Sequence, residues 1–205
     1  MTTGTLGGPA RALGLAGPFR GVMPVRLPLA VLAIEEASGD VTLVDVGWSA
    51  AQCAAPMRAL GPLTAAFLGV STRAGDSVVE QLAARGIDRR RVVRILATHL
   101  HDDHIAGVAD FPSAEIVTSR AELDSAHARR KLDGFVAVHG GALARSRCVA
   151  PDSSALVEVV DSARIDPDFR LARVDLRGHT AGSVGVVVRV GQRVIVHLGD
   201  AAYTI

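Results

Sequence analysis

The run Val92 to Leu96, VVRIL, leads without a break into Ala97-Thr98-His99-Leu100-His101-Asp102-Asp103-His104-Ile105-Ala106-Gly107. Four apolar residues, three of them β-branched, set around Arg94 read as a buried strand. Three histidines and two aspartates then occupy five of the six positions 99–104. In extended backbone, residues i and i+2 point the same way, so His99 and His101 can face one metal ion. Asp103 and His104 lie where the chain turns and can face a second point. Imidazole nitrogen and carboxylate oxygen bind Zn²⁺ at about 2.0–2.2 Å. No cysteine lies near, so the set fits a hydrolytic site, or an iron or manganese one, rather than a thiolate-rich structural site.

The strand needs partners. LPLAVLAIE (27–35) reads as one strand, with Pro28 at an edge. Ser38-Gly39-Asp40 is turn chemistry, and VTLVDVG (41–47) completes a hairpin. Residues 49–60 are Ala-rich and helical in character, stopped by Gly61-Pro62. Ser77 with Glu80 three residues on is a capping box for SVVEQLAARGI, and Gly86 closes that helix. EIVTS (115–119) is a short strand and RAELDSAHARRKL a helix. Residues 133–155 are rich in Gly and Ser and give no clear element. Late strands follow at LVEVV, FRLARVDL, SVGVVVRV and RVIVHLG, the last two joined by the turn signal Gly191-Gln192. This order argues for an α/β or α+β layered domain.

A chain of 205 residues suits one domain. Lys plus Arg is 22 and Asp plus Glu is 21, which gives no electrostatic case for nucleic acid or an anionic membrane. Arg89-Arg90-Arg91 reads as a solvated turn. Two cysteines make no disulfide framework, which points to a reducing, cytoplasmic setting. No run of eighteen apolar residues is present, hence no membrane span. Residues 1–21 read as a flexible lead-in before a domain spanning 22–205.

The pattern His-x-His-x-Asp-His at His99, His101, Asp103 and His104 resembles the signature of the metallo-β-lactamase-fold hydrolases. Asp45-Val46-Gly47, Gly178-His179-Thr180-Ala181-Gly182 and Gly199-Asp200 resemble three further motifs of that family, in the same order. The resemblance implies a metallo-β-lactamase-like αββα sandwich and two divalent metal ions, zinc being the expected one. His99, His101 and His179 would hold the first metal, Asp103 and His104 the second, and Asp200 would bridge them. Asp45 would orient a ligand from behind. Of the other histidines, His127 reads as surface, His139 as loop and His197 as a core residue rather than a ligand. Asp102 falls at the variable motif position.

Metal coordination lowers the pKa of water from 15.7 to about 7, so a metal-bridging hydroxide would attack a carbonyl or phosphoryl centre. Asp200-Ala201-Ala202-Tyr203-Thr204 resembles a stretch of the N-acyl homoserine lactonases. There the tyrosine three residues after the bridging aspartate hydrogen-bonds the lactone, a fitting donor to a developing oxyanion. Asp103 and Tyr203 are thus the residues assigned to the chemistry itself. The implied substrate is a small acyl lactone or ester, the implied role quorum quenching, and a homodimer is left open. A thioesterase resembling glyoxalase II is the alternative on the same scaffold. A non-catalytic metal-binding fragment or pseudoenzyme is the alternative of another class. The family pattern continues past Asp200 with a helix, strands and a last histidine, whereas this sequence stops five residues later. The resemblance therefore implies a partial copy of a longer protein, with Ser183 standing where many relatives carry His.

Overall fold

Val92–Leu96 is the middle strand of a five-stranded sheet. The computed structural model describes residues 1–9, 24–67, 69–128, 146–149, 157–159, 169–190 and 192–201. In chain order the strands are β1 (Thr2–Pro9), β2 (Pro24–Ala30), β3 (Leu32–Glu35), β4 (Val41–Val44), β5 (Val92–Leu96), β6 (Glu115–Ser119), β7 (Ser146–Val149), β8 (Val157–Val159), β9 (Phe169–Asp175), β10 (Val184–Val190) and β11 (Arg193–His197). The helices are α1 (Ala50–Ala54), α2 (Pro56–Leu60), α3 (Pro62–Phe67), α4 (Val78–Ala83), α5 (Asp102–Ile105) and α6 (Arg120–Ala128). No helix among the described residues is long and apolar enough to cross a membrane.

The first sheet has the order β3-β4-β5-β6-β7, with β4 to β7 parallel and β3 antiparallel at the edge. The second has the order β11-β10-β9-β8 and is antiparallel throughout. Strand β4 is buried at all four positions, as expected of a parallel strand covered on both faces. Its alternate residues feed two cores. Val41 and Leu43 pack with Val78, Leu82 and Leu123 from the helices. Val44 instead joins Ile34, Leu96, Val117, Val186 and Val188, residues of both sheets. Helices, parallel sheet and antiparallel sheet thus stack as layers, the α/β metallo-β-lactamase-like arrangement that the sequence implied.

Three sequence expectations change. The run 27–35 is two strands, broken at Val31, because its halves join different sheets. The helix expected over 49–60 is two helices. Pro56 carries no N–H and disfavours helical backbone at Ala55, which sits at φ −148°. Thr2–Pro9, assigned to a flexible lead-in, is a strand paired antiparallel with β2. Its glycines hide the period-two signal, but backbone groups alone make a ladder, and Thr3 is fully buried against Trp48 and Cys53. The rest of that lead-in lies outside the described residues. Strand β7 falls inside the segment 133–155 that showed no element. Arg89–Arg91 is a single 3-10 turn capped by the Asp88 side chain, consistent with a solvated turn.

Candidate metal centre

Parallel strands place their carboxyl ends along one edge of a sheet, where crevices form and ligands bind. Asp45 follows β4, His99 to His104 follow β5, and α6 follows β6, all on that edge. The facing sheet adds two segments at its matching end. The turn between β9 and β10 carries His179, and the 3-10 turn Gly199–Ala201 after β11 carries Asp200.

His99 and His101 do point one way, with ring centroids 4.6 Å apart, while Leu100 between them is buried in the core. His179 closes a triangle, 4.8 Å from the His99 ring and 4.7 Å from the His101 ring. Its Nε2 lies 2.9 Å from His101 Nδ1. The potential ligand atoms of His99, His101 and His179 all fall within 4.8 Å of one another, and so do those of His99, His104 and Asp200. Asp200 stands between these groups: Oδ1 is 3.1 Å from His104 Nε2 and Oδ2 is 3.5 Å from His179 Nε2. Gly199 brings Asp200 there at φ +53°, pressed against Thr98, where a Cβ would meet Thr98 Oγ1 at 2.7 Å.

Asp103 lies beside this pair, its Oδ2 3.7 Å from His104 Nε2. Asp102 accepts from Gln52 Nε2 at 3.4 Å and belongs to neither group. His197 accepts a hydrogen bond from Gly199 N–H at 3.3 Å and also belongs to neither. The His127 side chain, His139 and Tyr203 lie outside the described residues.

The hydrogen-bond pattern fixes how the imidazoles are presented. Asp45 sits just past β4 at φ +56°, a backbone region that Asp tolerates better than most residues. Its Oδ1 accepts from Thr98 N–H at 2.8 Å, and its Oδ2 accepts from Thr98 Oγ1 at 2.8 Å and from His104 Nδ1 at 2.8 Å. Thr98 Oγ1 has thereby given its only hydrogen to Asp45, so at its 3.1 Å contact with His99 Nδ1 it can only accept. Both imidazoles therefore donate from Nδ1 and turn Nε2 inward. His99 Nε2 is buried and, among the described residues, has no hydrogen-bond partner, while His104 Nε2 faces the Asp200 and Asp103 carboxylates at 3.1 and 3.7 Å. A buried nitrogen left without a partner is costly. Two inward imidazole nitrogens beside carboxylates are a donor set that fits a divalent cation.

Electrostatics agree. Burial, reinforced by its histidine neighbours, holds His99 well below the ordinary imidazole range and so keeps it neutral. Burial also works against a charged His104, but Asp45, Asp103 and Asp200 outweigh it and hold that ring well above the ordinary range. Burial pushes the Asp103 carboxyl up, with Asp200 adding to the rise and His104 opposing it.

Sequence reasoning passed over Glu122, which is fully buried. The signal was present: Ser119 and Glu122 have capping-box spacing at the start of α6. Ser119 Oγ does accept from Glu122 N–H at 3.0 Å, but the Glu122 carboxylate turns away from the helix toward the centre.

Residues 27–205 match the model of the Metallo-beta-lactamase superfamily. A probable metallo-hydrolase of Mycobacterium bovis and one of Mycobacterium tuberculosis are each 34% identical over 183 residues, 84% of this chain and 56% of theirs. The chain therefore spans a little over half the length of the curated relatives it matches. Among solved structures, a probable metal-dependent hydrolase from Staphylococcus aureus superposes with TM-score 0.72 at 16% identity, covering 97% of this chain and 70% of that one. An N-acyl homoserine lactone hydrolase, solved with N-hexanoyl-L-homoserine at its catalytic metal centre, superposes with TM-score 0.69 at 17% identity, covering 94% and 70%. At such identities these two likenesses speak to the fold.

Proposed function

We propose that this chain, which belongs to the metallo-beta-lactamase superfamily, is a metal-dependent hydrolase that opens the ring of an acyl lactone. The observation that carries the reading is Asp200, with one oxygen toward His104 and the other toward His179. A single carboxylate so placed suits two cations side by side. His99, His101 and His179 would hold one, Asp103 and His104 the other, and Asp200 both, with zinc favoured by the nitrogen and oxygen donors. Divalent metal ions in such a site supply Lewis acidity and make water a nucleophile near neutral pH.

The chain's own groups would do the rest. Asp45 and Thr98 keep His104 and His99 in the Nδ1–H form, so that Nε2 of each of these two rings faces the site. Water adds to the lactone carbonyl, the ring C–O bond breaks, and the ring oxygen leaves as an alkoxide that needs a proton. Asp103 would take the proton that the attacking water releases and return it to that alkoxide. The Tyr203 hydroxyl, three residues past Asp200, would donate to the oxygen on which charge develops. The acyl lactone is favoured by Tyr203 and by the lactone hydrolase among the structural neighbours.

The test is metal content and acyl homoserine lactone turnover of the purified protein, beside Tyr203→Phe. The expected result is bound divalent metal, turnover, and a loss of roughly 100-fold in Tyr203→Phe. A folded protein that takes up no metal would overturn the whole reading. Metal uptake without lactone turnover would overturn only the substrate.

A further inference from the structure

We infer that Glu122 is a positioning residue that locks the His99–His101 segment to the His179 turn, so that the three-histidine group is assembled before any cation arrives. The inference rests on the reading of that group as a metal site. His99 and His101 follow a strand of one sheet and His179 follows a strand of the other, and no strand ladder joins the two sheets. One backbone hydrogen bond crosses between them, from Val184 N–H to Thr98 O at 2.9 Å, and the Glu122 carboxylate adds side-chain bonds to both segments. Its Oε1 accepts from the N–H of Leu100, the residue between His99 and His101, at 2.9 Å. Its Oε2 accepts from Thr180 Oγ1 at 2.6 Å and from Gly182 N–H at 3.1 Å, two residues of the turn just after His179.

All three partners donate to the carboxylate. Two are backbone N–H groups, which can only donate. Thr180 Oγ1 spends its hydrogen on Glu122, so Ser183 Oγ, 2.5 Å away, must donate to it, while accepting from Thr180 N–H at 3.0 Å. The chain of donors runs from Ser183 through Thr180 to Glu122 in one direction. Ser183 therefore has a task of its own, as the clasp of the His179 turn. Gly182 is tied to the same arrangement. An added Cβ there would overlap Glu122 N and Ser119 Oγ, so only glycine lets the turn lie against the start of α6. Ser119 Oγ completes the seam by donating to Gly182 O at 2.8 Å.

The experiment is a Co²⁺ titration of the metal-stripped full chain, followed by visible absorption, beside Glu122→Gln, Thr180→Val and Thr180→Ser. Glutamine keeps the shape of glutamate but sets an NH₂ group against an N–H donor on one side or the other. The expected result is a cooperative melt for Glu122→Gln with Co²⁺ affinity ~10–100-fold lower, the range for a lost partner behind a ligand. Thr180→Val should also weaken binding, and Thr180→Ser, which keeps the hydroxyl, should restore it. If Glu122→Gln does not fold, the Thr180 pair alone decides. Unchanged affinity in Glu122→Gln and Thr180→Val would overturn the inference. So would a loss of affinity that only follows thermal stability, with Thr180→Ser no better than Thr180→Val. An unaltered chain that binds no Co²⁺ would instead overturn the metal site itself, and this inference with it.

Discussion

Asp45 Oδ2 accepts a hydrogen bond from His104 Nδ1 at 2.8 Å, and the same carboxylate takes both the N–H and the hydroxyl of Thr98. One side chain past the end of β4 thus sets the orientation of rings past the end of β5. Asp45→Asn keeps the tolerated backbone but replaces one acceptor oxygen with a donor. Metal affinity should fall ~10–100-fold, read by equilibrium dialysis against Zn²⁺ with metal analysis. Affinity equal to that of the unaltered chain would show that His104 does not need this partner.

A cation that binds the folded chain and not the unfolded one stabilises by mass action. With Zn²⁺ at 100 times its dissociation constant, the unfolding free energy should rise by about 2.7 kcal/mol, and chelation should remove the gain. Urea unfolding with and without chelator measures it. Equal midpoints would count against preformed ligands at His99 and His104.

Gly182→Ala puts a methyl group into the contact between the His179 turn and the start of α6. The cost should be about 1–3 kcal/mol, the range for overpacking. Ala181→Gly, at the exposed neighbouring position, is the control for general loosening of the turn. A shift in the urea midpoint for Gly182→Ala well beyond that of the control is the expected outcome.

Leu43 is fully buried in β4, facing the helices. Leu43→Ala should cost about 2–5 kcal/mol, because the transfer term and the cavity add. The urea midpoint should fall with an unchanged slope.

Burial pushes the Cys53 thiol up to about 11. The sign favours the neutral thiol in the folded chain. Its stabilising contribution is complete below the ordinary thiol range and is lost as pH rises through about 11. At pH 8.5, iodoacetamide labelling of Cys53 should be roughly two orders of magnitude slower in the folded chain than in urea, since only the thiolate reacts. Peptide-resolved mass spectrometry reads Cys53 separately from Cys148.

Strands β5 and β6 stand where the sequence pattern put them, because a short apolar run with β-branched residues has few other uses in a layered domain. The hairpin of β3 and β4 and the cap at Ser77 were legible for the same reason: a turn or a cap is a local contract between residues three or four apart. The pairing of His99 with His101 was legible too, since i and i+2 share a side of any extended segment. The split of 27–35 between two sheets was not, because both halves carry the same alternation and only their partners differ.

The sequence by itself determined the inventory of candidate ligands: which imidazoles and carboxylates exist, and that four of them follow one strand. Only the tertiary structure decided their geometry. His179 and Asp200 reach His99 across two sheets that pack through Val44, Leu96, Val186 and Val188. Glu122 and Asp45 act through hydrogen bonds that span 22 and 59 residues of chain. Local pattern cannot encode such bonds, because their partners meet only after the apolar faces of both sheets are buried against each other.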